Sequence, residues 1–338
     1  MCIRDSILAN ALFGAISGSG TAAASAMGSI IGPIEKDEGY DPNFSAAANI
    51  ATAPTGLLIP PSNVMITFSL VSGGTSVAAL FMAGYIPGAL WALACMLVVY
   101  IYAKKAGYRS QTKLTGKEKI NAFIQALPCL LLIVIVIGGI IAGVFTATEG
   151  SVVAVVYSLL LSIYGYKSMK WKDLPEIFRS SAEMTGIIIF LIGVSSIMSW
   201  VMAFTNIPTM VSNGLLSISS NKYVILLMIN IILLVVGTFM DMTPATLIFT
   251  PIFLPVCTAL GMNTIHFGIM LIFNLCIGTI TPPVGTTLFV GVKVGGVKIE
   301  TVFKHLLPYF FAIIVVLMLV TYIPQLSLWL PGLMGYVS

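Results

Sequence analysis

The stretch "GTITPPVG", residues 278–285, places two adjacent prolines inside an apolar segment, and "GLLIPPSN", residues 56–63, repeats the arrangement. A Pro-Pro pair lacks two backbone donors and disfavours helix at the preceding residue, so each pair predicts a break in a helix. Inside a bilayer, freed backbone groups are tolerated only where they are buried in protein or line a polar cavity. Both breaks therefore indicate a cavity within the membrane.

The composition around these stretches is that of an integral membrane protein. Of 338 residues, 58% are hydrophobic and 8% are charged, which excludes a soluble globular protein. Plain apolar runs of the ~20 residues that cross a bilayer lie at 84–103, 123–143, 149–165, 184–204 and 306–323. Apolar segments interrupted by Gly, Pro, Ser, Thr or Asp lie at 7–34, 45–72, 222–256 and 266–294. The predicted fold class is an all-α polytopic membrane protein.

The two proline pairs belong to an internal repeat. A shift of 222 residues aligns Pro60-Pro61 with Pro282-Pro283 without a gap. The other matches concentrate on Gly and Pro, which punctuate backbone geometry, and include Pro33/Pro255, Gly39/Gly261, Gly56/Gly278 and Gly73/Gly295. Each copy predicts a re-entrant hairpin with a polar tip, then a broken helix, then a plain span.

Loop charges predict that the two copies are inverted. The loop from Lys104 to Asn121 is rich in basic residues (Lys104, Lys105, Arg109, Lys113, Lys117 and Lys119) and is predicted to be cytoplasmic. Counting crossings from this loop, hairpin 1 enters from the cytoplasm and hairpin 2 from outside, which is the pattern of inverted repeats. The loop from Glu35 to Asp41 is acidic and departs from the rule, in which acidic residues carry little weight.

These features predict the division of the chain. "MCIRDS", residues 1–6, is interpreted as a foreign start, because Arg4 and Asp5 stand where the second copy is apolar. The span 184–204 has no counterpart ahead of hairpin 1, so we expect an N-terminally truncated chain. The predicted regions are repeat 1 at 7–103, cytoplasmic loops with connecting spans at 104–183, repeat 2 at 184–325 and a C-terminal tail at 326–338.

Polar residues at the breaks and hairpin tips predict one central site. Freed carbonyls beside small polar side chains offer hard oxygen ligands for Na⁺; these residues are Ser62, Asn63 and Thr67 in copy 1, and Thr279, Thr281, Thr286 and Thr287 in copy 2. The N-terminal ends of the half-helices would favour an anionic substrate. We expect Ser17, Thr21, Asn63, Thr243 and Thr286 to line the substrate cavity.

Asp241 is the one acidic residue deep within an apolar segment, and the repeat aligns it with Ser19. Burying it costs about 2.5–3.5 kcal/mol on insertion scales, which predicts that it faces a cation or a cavity. Alternatively, Asp241 only caps the helix that starts near Thr243. Two interpretations are open for the hydroxyls at the tip of hairpin 1 (Ser17, Ser19 and Thr21): they face the cavity, or they hydrogen-bond to their own backbone. Thr146 and Glu149 predict a structural capping box.

Five ordered stretches resemble the large membrane subunit of the tripartite ATP-independent periplasmic (TRAP) transporters, the DctM-like C4-dicarboxylate permeases. They are "ALFGAISGSGTAAASAMGSI", "GLLIPPSN", "FTATEGSVVAVVYSLLL", "GTFMDMTPATLIFTPIFLPV" and "NLCIGTITPPVGTTLFV", and the resemblance runs from Ile7 onward. It implies a multi-pass, Na⁺-driven importer of small carboxylates in the bacterial inner membrane, of the ion-transporter superfamily and moving as an elevator. Such importers need a small membrane subunit and a periplasmic substrate-binding protein.

The resemblance also implies where Na⁺ binds. One set is Ser19 with Gly56, Pro60 and Ser62, and the other is Asp241 with Thr281, Pro282 and Gly285. The sequence departs from the family's usual sequence pattern at Asn63 and in "TAPTG" upstream of the first break. These departures bear on the substrate cavity.

Alternative functions are a stand-alone Na⁺/dicarboxylate carrier of the same superfamily and, more remotely, an ion channel with the breaks as its filter. Channels usually build a filter by symmetry around one axis, whereas both copies here lie in one chain. An enzyme is not expected, because no nucleophile in the apolar segments has a plausible His partner. The Lys and Arg residues form no patch with aromatics, so we expect no nucleic-acid partner. Na⁺ is the only expected cofactor, with no organic one.

Overall fold

The computed structural model describes residues 3–107, 116–219 and 221–336, and all regular structure within them is helical. Seven of the described helices are long and apolar enough to cross a membrane, or eight if one pair of helices bent by 45° counts as a single span. The prediction of an all-α polytopic membrane protein is confirmed. Arg109 and Lys113 of the predicted cytoplasmic loop lie outside the described residues, as do Met1 and Cys2 of the predicted foreign start.

The first copy begins with a hairpin and continues into a broken helix. Its helices are α1 (Ile3–Ser17), α2 (Gly20–Asp37), α3 (Pro42–Thr52), α4 (Thr55–Leu58), α5 (Asn63–Val71) and α6 (Val77–Ala106). Ser19 caps α2, since its Oγ accepts a hydrogen bond from Ala22 N at 3.3 Å. The chain leaves the helical conformation between α4 and α5, around Pro60-Pro61. No change in secondary structure marks the start of the repeat at Ile7, because α1 already includes residues 3–6.

The acidic stretch after hairpin 1 differs from the prediction. We expected Glu35 in a loop, but α2 continues to Asp37 and leaves the Glu35 side chain only 3% exposed. The turn that ends the helix comes later because Gly39, at φ +85°, takes the left-handed conformation that glycine accommodates best. The amide of Tyr40 then donates to the Glu35 carbonyl at 3.0 Å, which closes the helix end.

Residues Lys113–Met198 form a separate compact unit. It contains α7 (Gly116–Ile141), α8 (Ala147–Leu160) with a π-helical continuation (Leu161–Gly165), a 3-10 turn (Trp171–Asp173) and most of α9 (Leu174–Phe204). The predicted capping box is confirmed: Thr146 Oγ1 accepts from Glu149 N at 3.3 Å, and Thr146 N donates to Glu149 Oε2 at 2.8 Å.

The second copy repeats the helices of the first. It comprises α10 (Ile207–Ile218), α11 (Lys222–Phe239), α12 (Met242–Ala259), α13 (Thr264–Thr279), α14 (Thr286–Gly295), α15 (Ile299–Tyr322) and α16 (Gln325–Leu333). Adding 222 to the bounds of α2 gives the bounds of α12, and α15 begins 222 residues after α6. The Pro60-Pro61 and Pro282-Pro283 peptide bonds are both cis. The sequence repeat is therefore also a repeat of helices and breaks, whereas α10 and α16 were not predicted.

Contacts between the copies are reciprocal. Helix α2 packs on α14, and their equivalents α12 and α5 pack on each other; α3 contacts α14 as α13 contacts α5. Cys276 Sγ lies 3.9 Å from the carbonyl oxygen of Pro54, the residue to which it is equivalent. Such self-complementary contacts are what a two-fold relation produces. The broken helix of each copy is thus held against the hairpin of the other.

Candidate functional site

A polar cavity of about 140 Å³ lies where the starts of four helices meet. We call it the tip cavity, and it is bounded by the start of α2 (Gly18, Ser19, Gly20, Thr21), of α5 (Asn63, Val64), of α12 (Asp241, Met242, Thr243) and of α14 (Thr286, Thr287), with Leu57 and Thr279. Both hairpin tips and both helix breaks therefore line one cavity.

The first hairpin tip presents a small group of hydroxyls. Ser19 Oγ lies 3.1 Å from Thr21 Oγ1 while it caps α2. Ser17 does not line the tip cavity. Its Oγ donates to the Ser19 carbonyl oxygen at 3.3 Å. Gly20 allows the first hairpin tip to lie close to α14, because a Cβ there would lie 3.1 Å from Thr287 Oγ1 of the second copy.

Asp241 occupies the second tip. Its backbone takes the N-cap position of α12, but its carboxylate makes no capping hydrogen bond. The side chain is exposed and lines the tip cavity, where Thr286 Oγ1 donates to Oδ1 at a long 3.5 Å. The structure thus does not show the helix-capping bond of the alternative interpretation, and it leaves the carboxylate available to a ligand.

The second break turns its carbonyl oxygens around Gly285. A Cβ at this glycine would lie 2.8 Å from the Thr281 carbonyl oxygen and 3.1 Å from that of Thr279. Next to it, Val284 N donates to the Thr238 carbonyl at 3.1 Å, which joins the break to the tip of hairpin 2. In copy 1 the break also lies against its hairpin tip, because a Cβ at Gly18 would lie 3.0 Å from the Pro61 carbonyl oxygen.

Several predicted site residues stand behind the cavity wall. Ser62 Oγ donates to the Leu57 carbonyl at 2.6 Å, and Thr281 Oγ1 donates to the Ile277 carbonyl at 2.7 Å. Thr67 bonds the Asn63 carbonyl at 3.0 Å. These hydroxyls satisfy their own backbone, and Pro60 and Pro282 form the breaks without lining the cavity.

Gly56 has a packing contact that the sequence did not predict. A Cβ at Gly56 would overlap the backbone of Gly14 on α1, and one at Gly278 would overlap Gly237 on α11. In each copy the broken helix and the first arm of the hairpin therefore touch backbone to backbone. Gly14 and Gly237 are not related by the shift of 222. The alignment of the two copies therefore did not predict these contacts.

The electrostatics of the tip cavity combine two opposite features. The N-terminal ends of four helices converge there, and each carries partial positive charge that favours an anion. Asp241 is the only charged residue among those lining it. In addition, Thr287 Oγ1 is buried in the wall without a hydrogen-bond partner. Among the described residues, no group of three His, Cys, Asp or Glu side chains could hold a metal ion.

Sequence comparison identifies related proteins over nearly the whole chain. A model of the family described as "Tripartite ATP-independent periplasmic transporter, DctM component" matches residues 5–326. Uncharacterized protein YgiK of Salmonella typhimurium is 54% identical over 97% of this chain and 75% of its own. The C4-dicarboxylate TRAP transporter large permease protein DctM of Pseudomonas aeruginosa is 37% identical, covering 97% and 77%. The sialic acid TRAP transporter large permease protein SiaM of Vibrio cholerae is 36% identical, covering 98% and 77%.

Proposed function

Because the chain belongs to the DctM-component family of TRAP transporters, a family of permeases and not of enzymes, we propose that it imports a small organic anion together with Na⁺. The chain is a multi-pass protein of the bacterial inner membrane. The observation that carries the proposal is the convergence of four helix starts on the tip cavity.

The anion is best assigned as a carboxylate. Helix N-termini bind carboxylates through backbone amides and the macrodipole, without a basic side chain. The tip cavity has no basic residue in its lining, and its hydroxyls and the Asn63 amide add directional donors. Relatives named for C4-dicarboxylate and sialic acid support the same chemical class.

Asp241 supplies the coupling to a cation. A substrate carboxylate ~5 Å from it would be repelled by about 3 kcal/mol at an effective dielectric constant of ~20, which solvent screening of the exposed Asp241 side chain reduces to about 1–2 kcal/mol. That repulsion is roughly one decade of affinity. Na⁺ bound between Asp241 and the carbonyl oxygens around Gly285 removes the repulsion, so anion and cation bind together. Each ion then raises the affinity for the other by the same factor.

The family membership also leads us to propose the partners and the motion. A periplasmic binding protein delivers the substrate, and a small membrane subunit accompanies this chain, as the name "TRAP transporter large permease" on the relatives suggests. The hairpins and broken helices carry the tip cavity across the membrane as an elevator.

Uptake into membrane vesicles tests this function. Vesicles with the chain and its small subunit receive a labelled C4-dicarboxylate or sialic acid, with and without the binding protein, under a Na⁺ or a K⁺ gradient. We expect uptake only with both Na⁺ and the binding protein. Equal uptake under K⁺ would reject Na⁺ coupling, and full uptake without the binding protein would identify a stand-alone carrier.

A further inference from the structure

A second polar cavity, of about 250 Å³, lies between α1, α2, α3 and α14 and shares no lining residue with the tip cavity. We call it the Glu35 cavity. Its polar wall is formed by Ser6 and Asn10 of α1, Glu35 of α2, and Ser45 and Asn49 of α3. The transport function proposed above uses none of these residues.

The carboxylate of Glu35 is buried without a basic partner among the side chains that the structure describes. Its side chain is 3% exposed, and Ser6 Oγ donates to its Oε1 at 2.6 Å. No ion pair of the described residues involves Glu35, and the neighbouring Lys36 is exposed at the rim. A buried carboxylate without a counter-charge is strongly unfavourable, so this group requires a cation or a proton.

Further oxygen atoms are fixed around the same space. Asn10 Nδ2 donates to both the carbonyl oxygen and Oδ1 of Asn49, at 2.9 and 2.6 Å. The donors of Asn10 are therefore engaged, and its Oδ1 is buried without a partner in a side chain that is 2% exposed. The hydroxyl of Ser45, a residue that is 6% exposed, is buried without a hydrogen-bond partner among the described residues. One carboxylate, one amide oxygen and hydroxyl oxygens form a ligand set for a hard cation.

The repeat provides an internal comparison. At a shift of 222, the four polar residues of the Glu35 cavity that belong to repeat 1 and form its polar wall (Asn10, Glu35, Ser45 and Asn49) have apolar or weakly polar counterparts, namely Ile232, Cys257, Phe267 and Leu271. The second copy builds the same helices from these side chains. The second copy has a buried amide pair of its own between the equivalent helices, Asn230 with Asn274, but Cys257 in place of Glu35. The fold therefore does not require the carboxylate, which points to a ligand that only the first copy binds.

We propose that Glu35, Asn10 and Ser45 bind one Na⁺ ion at a site separate from the tip cavity. A single carboxylate with neutral oxygen ligands matches the charge of a monovalent ion. The oxygen set, independently of the proposed transport function, selects a hard cation. That function suggests Na⁺ as the ion to test.

Counting bound ²²Na⁺ on the purified full chain tests the site. We expect Glu35→Gln to bind one Na⁺ fewer than the wild type at saturation, with an unchanged elution profile. The matched control is Asp37→Asn, an exposed carboxylate on the same helix, which should bind the wild-type number. The Asp241→Asn variant should keep the ion at Glu35, so failure of this site and failure of the tip cavity are distinguishable.

An unchanged count in folded Glu35→Gln would overturn the proposal, since a proton or a purely structural hydrogen bond would then serve the carboxyl. Should that variant not fold, Asn10→Ile decides, because isoleucine occupies the equivalent position of the second copy. We expect it to weaken Na⁺ binding about tenfold, the scale of one lost oxygen contact to a charged group. Wild-type binding in a folded Asn10→Ile variant would contradict the proposal equally.

Discussion

Replacing Asp241 by asparagine removes the single charge from the lining of the tip cavity at almost constant shape. The carboxylate makes no capping hydrogen bond, so the substitution leaves the start of α12 intact. We therefore expect the variant to fold and insert as the wild type does. Its effect should fall on Na⁺, the ion that Asp241 is proposed to bind.

The size of this effect follows from the surroundings of Asp241. A cation ~4 Å from a carboxylate gains about 4 kcal/mol at an effective dielectric constant of ~20. Because the Asp241 side chain is exposed, solvent screening reduces the gain to about 1.5–3 kcal/mol. The Na⁺ concentration for half-maximal uptake should therefore rise roughly ten- to a hundredfold.

The assay is labelled carboxylate uptake in vesicles as a function of Na⁺ concentration, with the partner subunits present. Asp37→Asn serves as the control, since Asp37 is exposed and lies outside the tip cavity; its Na⁺ dependence should equal that of the wild type. Asp241→Asn with the wild-type half-saturation concentration would falsify the ligand role.

Other variants test the walls of the tip cavity and the packing behind it. Gly56→Ala would place a Cβ on the backbone of Gly14, so it should destabilise the protein by about 1–3 kcal/mol and lower its unfolding temperature, whereas Gly214→Ala, which meets no atom within 4 Å, should not. Gly285→Ala would place a Cβ 2.8 Å from a carbonyl oxygen of the break; we expect weaker ²²Na⁺ binding than in the wild type, and equal binding would exclude these carbonyls as ligands. Thr287→Val removes a buried hydroxyl without a partner, so it should raise the stability of the ligand-free protein by about 1 kcal/mol. The additional stabilisation by carboxylate should be smaller than in the wild type. If the stability with and without carboxylate rises by the same amount, Thr287 has no role in binding.

Much of the fold was predictable because it depends on local signals. Hydrophobic length marks the spans, and the Pro-Pro pairs mark both breaks. The shift of 222 aligned Ser19 with Asp241, and both residues occupy the N-cap of the second hairpin arm. By contrast, α10 lies in a stretch without Lys or Arg. The missing charge indicates an outer loop, but it carries no information on whether that loop is helical.

The composition of the candidate site was predictable in part. Thr21, Asn63 and Thr243 line the tip cavity, because each stands next to a break or a tip; that this cavity binds the substrate stays a prediction. Hydroxyls such as Thr67 instead satisfy their own backbone, and residue type alone does not distinguish the two uses. The prediction of a loop at Glu35 was wrong, because its neighbours in sequence are charged while its surroundings in space come from α1 and α3.

Joint binding of carboxylate and Na⁺ in the tip cavity is tested most directly by a cryo-EM map of the chain with its partner subunits, in saturating Na⁺ and carboxylate. We expect density for the carboxylate group within hydrogen-bond distance of the first backbone amides of α5 and α14, with Na⁺ density between Asp241 and the Thr281 carbonyl. A carboxylate bound outside the tip cavity, or bound there equally well when K⁺ replaces Na⁺, would contradict joint binding.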